Sequence, residues 1–390
     1  MPSAQTGTQI SRIYFPDLDG WRFVAFLSVF LFHAFYTDLE QVKNEPIYWW
    51  VKRLTSNGFL GVEFFFVLSG FLIIYLLISE REKTGKIDIR KFYLRRVLRI
   101  FPLYYLCLFI GFVIFPYIRS ILGTQTYTLP DWRYYVFFLS NFDSLKEYAP
   151  LTDASLGVLW SVAIEEQFYL TVPLLLVIVG TRFYPWIFIV AIAVSLVSRA
   201  LHVDDSLWLA RHTFSYIGNI AIGGLIAYYS ITSHRFVNYF EELDGRLIKA
   251  VYALIIIVVM FQAELFFTPA LRASQALIVA VLFAFIILEQ NYSKNSFFKM
   301  RNNRTFTKLG LYTYGLYCLH VIAMAGGHLI LSRLRLNTEL WQVIVVETSF
   351  NLSLALIFAY ISYRYYEAPF LRLKAAFSFQ NRSSSDRSKI

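Results

Sequence analysis

Apolar positions in this chain do not alternate with polar ones at a helical or strand period. They form nearly unbroken blocks separated by short polar stretches. Ten blocks are visible, at 19–37, 58–78, 100–118, 158–179, 184–201, 213–230, 248–263, 273–289, 310–331 and 343–363. A helix rises about 1.5 Å per residue, so about 20 apolar residues cross the hydrocarbon layer. In lipid every backbone polar group needs an internal partner, which a helix supplies. The block "ASQALIVAVLFAFIILE" is apolar on all sides, as burial in lipid or protein requires. The pattern predicts an all-α, polytopic helical membrane protein of about ten transmembrane helices. The blocks at 184–201, 248–263 and 273–289 are short or edged with polar groups.

Composition supports this reading. The chain is 57% hydrophobic and only 16% charged, with 38 Phe and 27 Tyr, where a soluble domain carries about 25% charged residues. In a membrane protein the +10 net charge is a question of topology, not of nucleic acid, and no nucleic-acid partner is expected. Ten spans put both termini on one side. On that side Lys and Arg outnumber those on the other by more than two to one, which predicts both termini in the cytoplasm. The first apolar run follows a polar leader and is long enough to span, so it reads as a signal anchor. Cys107 and Cys318 both lie in apolar segments, which argues against a disulfide or a metal cage.

Residues 1–374 read as a single transmembrane domain, and 375–390, ending "NRSSSDRSKI", as a disordered cytoplasmic tail. The inner loop "SEREKTGKIDIRKFYLRRVLR" at 79–99 is strongly basic. The outer segment 119–157 is long, and its "WRYYVFFLSNF" reads as an interfacial or re-entrant piece. Its Trp132, Tyr134 and Tyr135 are candidates for stacking on sugar rings.

Ionisable groups inside spans are costly and by default functional. Arg22 and His33 are eleven residues apart, about three helical turns, so they share one face about 16 Å apart along the axis. Glu63, Glu165 and Glu166 enter from the same outer side as His33. A carboxylate beside His33 would fix its tautomer and prepare a general base. The alternative is that Glu63 or Glu166 pairs with Arg199 or Arg211. Arg95, Arg96 and Arg99 form a guanidinium cluster suited to phosphate, or simply flank a span. Ser69 and Ser161 more readily bond helix carbonyls than act as nucleophiles. His320 reads as structural, and Glu367 as the partner of a nearby arginine.

"LDGWRFVAFLSVFLFHAF" resembles the opening of the acyltransferase type 3 membrane family. "GVEFFFVLSGFLI", "FYLRRVLRIFPLYYL", "LGVLWSVAIEEQFYLTVPLLL", "YGLYCLHV" and "YRYYEAPFLRLK" match later blocks of that family in order, over residues 17–374. The resemblance implies transfer of an acyl group, by default acetyl, from cytoplasmic acyl-CoA to a sugar or lipid-linked sugar. It implies that Arg22 and His33 are the signature pair with His33 catalytic, and that Arg95, Arg96 and Arg99 bind the coenzyme. It also makes Glu165 and Glu166 the acidic block. Glu63 stands where the family often has aspartate.

The expected function is therefore an integral membrane O-acyltransferase of the cell membrane. His33 serves as general base supported by Glu63, Glu165 or Glu166. Arg22, Arg95, Arg96 and Arg99 hold acyl-CoA, and Trp160 and Tyr169 shape the acceptor pocket. Acyl-CoA is a co-substrate, and no permanently bound cofactor or metal is expected. The carbohydrate or glycolipid acceptor and the bilayer complete the partners. A transient acyl-histidine is the mechanistic variant. A transporter or flippase for a lipid-linked sugar is the rival, since intramembrane Glu, His and Arg also mark transport.

Overall fold

The computed structural model describes residues 13–35, 37–122, 129–146 and 156–377. Most of the expected tail, from residue 378 onward, lies outside the described residues, as do 123–128 and 147–155 of the long outer segment. Among the described residues all regular structure is helical. Ten long helices follow the ten apolar blocks in order. They are α1 (Pro16–His33), α2 (Leu60–Thr84), α3 (Ile89–Phe109), α4 (Leu159–Ile178), α5 (Tyr184–Leu201), α6 (Thr213–Thr232), α7 (Gly245–Met260), α8 (Pro269–Tyr292), α9 (Thr313–Leu334) and α10 (Thr348–Ile361). The chain is a polytopic helical membrane protein. Eight helical stretches among the described residues are long and apolar enough to cross a membrane.

α1 and α7 fall short of that measure for plain reasons. α7 has 16 residues. α1 carries Asp17, Asp19 and Arg22 in its first two turns. Those acids suit the positive end of the helix dipole, behind a proline at the first turn. Each is also partnered. Asp17 accepts the backbone N–H of Arg301 at 2.8 Å. Asp19 accepts the Tyr14 hydroxyl at 2.8 Å and pairs with Arg22.

These contacts define one end of the bundle, here the basic end. α2 runs down to it and stops at Gly85, whose φ of +77° is the left-handed cap that glycine allows. α3 starts from it under an Asp88 N-cap that accepts the Lys91 N–H at 3.0 Å. α9 also starts there, with Gly310 pressed against the Asp19 carbonyl. His33, the last residue of α1, marks the opposite end.

α2 is the central helix. Its Gly61 faces α1, where a Cβ would come within 2.3 Å of the Ala25 carbonyl oxygen. Gly70 faces α6, where a Cβ would lie 1.9 Å from the Ile220 oxygen, and Gly223 of α6 meets the Val67 oxygen in return. Small residues thus bring the backbones together, as packing inside a membrane favours.

The segment 129–146 folds back into the bundle instead of lying free. Tyr104 of α3 donates to the Tyr135 carbonyl at 2.7 Å, and its ring stacks on Phe138 at 4.3 Å. Gln167 of α4 donates to the Phe138 carbonyl at 2.8 Å. Of the three aromatics expected to meet sugar, Tyr135 is only 2% exposed and packs inside, while Trp132 is 55% exposed.

Candidate functional site

His33 closes α1 with its Nδ1 2.9 Å from the Val29 carbonyl oxygen. A carbonyl can only accept, so Nδ1 carries the proton and Nε2 presents a lone pair. Across the interface, His320 of α9 has its own Nδ1 2.8 Å from the Tyr317 carbonyl. By the same reasoning its Nε2 is a lone pair, and it lies 3.5 Å from His33 Nδ1. The two imidazoles meet edge to face, with centroids 5.2 Å apart. His33 is half-buried, and His320 is fully buried against Phe26 and Phe30.

Among the described residues no carboxylate lies within hydrogen-bond distance of His33. The expected glutamate support is replaced by a main-chain carbonyl and a second histidine. Helix rotation explains the change. Glu63 sits two residues, or about 200°, beyond Gly61, which faces α1. Its side chain therefore turns to α6, where Asn219 donates to it at 3.1 Å. Arg199 acts on it electrostatically while donating to the carbonyls of Ala273, Leu209 and Arg272. Among the described residues Glu63 forms no ion pair with Arg199 or Arg211; its hydrogen-bond partner is Asn219.

Glu165 and Glu166 lie further toward the basic end. Ser161, one turn before Glu165 on α4, is 2.6 Å from the Tyr317 hydroxyl. Glu165 accepts the Tyr169 hydroxyl at 2.8 Å, and that hydroxyl is 3.0 Å from Ser69 Oγ. The Arg96 guanidinium stacks over the Tyr169 ring at 5.1 Å, with Glu165 and Glu166 beside it. Glu166 Oε1 is buried and has no hydrogen-bond partner. Tyr169, expected in the acceptor pocket with Trp160, instead belongs to this deeper arginine cluster.

The arginines of α3 diverge. Arg95 pairs with Glu80 at 2.9 Å and donates to the Phe377 carbonyl. Arg99 lies 3.6 Å from Glu367, the kind of partner expected for that glutamate, and stacks over Tyr314 at 5.6 Å. Arg22 pairs with Asp19 and shares the field of Arg99. The Arg22 side chain remains 31% exposed.

The interior therefore holds one polar succession inside an apolar bundle. It runs from Arg22 and Arg96, through Tyr169, Ser69 and Glu165, then Ser161 and Tyr317, to His320 and His33. Such groups are expensive in a membrane interior and are not there to fill space.

His320 and Arg211 are among the residues of this region not singled out as site residues from the sequence. His320 carried a signal, being a second imidazole inside a span. Its depth hid the contact, because side chains on a helix point back toward its N-terminus, which lowers the His33 ring to the level of Phe30. Arg211 had appeared only as a carboxylate's partner. It lies at the His33 end with its guanidinium 4.5 Å from the Trp160 ring.

A family model described as an acyltransferase domain matches residues 15–364. Peptidoglycan O-acetyltransferase OatA of Listeria monocytogenes is 25% identical over 391 residues, which cover 93% of this chain and 56% of that protein. O-acetyltransferase OatA of Staphylococcus aureus is 35% identical over 183 residues, covering 44% of this chain and 26% of that protein. The chain spans about half the length of the curated relatives it matches. No solved structure matches it significantly.

Proposed function

The chain belongs to the acyltransferase domain family, and from that premise we propose that it transfers an acetyl group from acyl-CoA to a hydroxyl of a cell-envelope or exported glycan. The observation that carries the reading is the polar succession linking the arginines to the paired histidines. The phosphates of the coenzyme bind at the basic end to Arg22, Arg96 and Arg99, with Arg95 at the rim, and that end faces the cytoplasm. The pantetheine arm follows the interior past Tyr169 and Ser161. The eleven residues between Arg22 and His33 span about 16 Å, a length that an extended arm covers.

At the far end His33 Nε2 takes the proton of the acceptor hydroxyl as its oxygen attacks the thioester carbon. The imidazolium then strengthens its Nδ1–H bonds to the Val29 carbonyl and His320 Nε2. The C–S bond breaks, and the coenzyme thiolate takes the proton back from His33. His33 is a catalytic residue in this scheme and His320 a positioning residue. Glu165 and Glu166 balance Arg96 instead of supporting the base, and Glu63 anchors α2 to α6.

The test uses purified protein in nanodiscs with labelled acetyl-CoA and a glycan mixture. Acetylated glycan forms without any ion gradient, and His33→Ala lowers kcat/KM by about 100- to 10,000-fold, the usual contribution of a general base. Full glycan acetylation by His33→Ala would remove the mechanism. Movement of a lipid-linked sugar without acetylation would favour a flippase. Rapid quench without acceptor separates direct transfer from an acyl-histidine: label trapped on protein marks the covalent route.

A further inference from the structure

Among the described residues the interior arginines have a carboxylate or backbone carbonyls acting on them, with one exception. Arg22 pairs with Asp19, Arg95 with Glu80 and Arg99 with Glu367. Arg199 donates to three backbone carbonyls, and Arg96, stacked over Tyr169, lies in the field of Glu165 and Glu166. Arg211 is half-buried at the His33 end, yet among the described residues its guanidinium has no carboxylate within ion-pair distance and no side-chain hydrogen bond. Its held contact is the face of Trp160 at 4.5 Å. The other groups around it are the neutral hydroxyls of Tyr135, Tyr216 and Tyr317. Its charge acts on His33.

A guanidinium brings five N–H donors, and removing them from water without an acceptor is costly. The contact with the Trp160 face holds the group in place, and its N–H donors, without a carboxylate or side-chain acceptor among the described residues, suit a planar or tetrahedral oxyanion. The backbone beside it is also fixed, since Asn141 donates to both the Arg211 carbonyl and Thr213. The donor's phosphates have their own arginines at the other end of the bundle. A second cation, aligned on an aromatic face next to the base, serves the acceptor.

We propose that Arg211 recognises an anionic group, a carboxylate or a phosphate, on the acceptor glycan, with Trp160 holding the guanidinium in place. This rests on the transferase reading and adds the class of acceptor to it. The test compares three oligosaccharides with the full-length protein in nanodiscs. One bears a uronic acid, one is its carboxyl-reduced counterpart, and one bears a sugar phosphate. Transfer from acetyl-CoA is measured, and binding without acetyl-CoA is followed in parallel by equilibrium dialysis.

The wild type prefers an acidic acceptor over the reduced one by about tenfold or more in kcat/KM, as a charge-assisted pair supplies. In Arg211→Gln that ratio falls toward one through KM, and Arg211→Lys restores part of it. Whichever of the uronate and the phosphate binds more tightly names the group. An equal loss of kcat on acidic and reduced acceptors would place Arg211 on the transition state and overturn the proposal. Equal binding of acidic and reduced sugars by the wild type would overturn it whatever the turnover. If the wild type binds acidic sugar selectively but transfers nothing, the transferase reading falls and the Arg211 assignment stands.

Discussion

His33 and His320 each give the Nδ1 proton to a main-chain carbonyl, so two lone pairs remain and their roles differ. His33 Nε2 is free to receive a proton, while His320 Nε2 faces the N–H of its partner at 3.5 Å. A neutral acceptor there orients the His33 ring without adding charge, unlike the carboxylate of the usual dyad. His320→Phe should therefore lower kcat by about tenfold with little change in KM for acetyl-CoA, and shift the acidic limb of the kcat–pH profile, which reports a general base. His320→Gln, which can still accept through its amide oxygen, should recover part of the rate. Fold loss would lower donor binding in both variants alike. Sequence reading singled out His33 and Arg22 because ionisable groups inside a span are expensive and stand out in an apolar run. It could not fix the azimuth of Glu63, which turns to α6 and not to His33. Depth follows from counting residues, whereas azimuth depends on which face the neighbouring helix occupies.

That missing azimuth was partly written in the glycines of α2. Glu63, Val67 and Gly70 recur at helical spacing and all meet α6, with Asn219, Gly223 and Ile220 opposite them. Gly61 faces the other way, onto α1. Gly70→Leu forces side-chain atoms into the Ile220 carbonyl, and relief requires the helices to separate. The expected cost is about 1–3 kcal/mol or more, read as a lower melting temperature in detergent together with loss of acetyl-CoA binding. Gly245→Ala, whose Cβ would meet its nearest atom at 3.3 Å, is the milder comparison and should melt higher than Gly70→Leu. The turn joining α2 to α3 offers a pH-dependent test. The Asp88 carboxyl is held below its ordinary value chiefly by the Lys91 backbone N–H. The native state thus binds this proton less readily than the unfolded chain, and the cap contributes fully above the unfolded value of about 3.9. Asp88→Ala should cost about 1 kcal/mol at pH 7. The difference from wild type should narrow as pH falls below about 4 and close below the depressed folded value.

At the scale of the whole molecule the proposal makes the two ends of the bundle chemically different, and membrane sidedness follows. About ten transmembrane helices are expected from the sequence, and eight helical stretches among the described residues are long and apolar enough to span, with the charges at the start of α1 keeping that helix outside them. Asp17, Asp19 and Arg22 satisfy one another and their neighbours there, so α1 can enter the membrane as part of the packed bundle rather than as an independent apolar rod. If the basic end faces the cytoplasm, the α2–α3 turn at Asp88 and the α5–α6 connection at Asp204 lie on opposite sides. With Cys107 and Cys318 buried, single cysteines placed at 88 and 204 should each be labelled by an impermeant maleimide from one side only. In proteoliposomes of known orientation, acetyl-CoA should support turnover only from the side that labels position 88, and a membrane-impermeant acceptor only from the side that labels position 204. Turnover with both substrates confined to one side would mean that the donor arm never crosses the bundle. The polar succession from Arg96 to His33 would then need another purpose, and transfer along it would be ruled out.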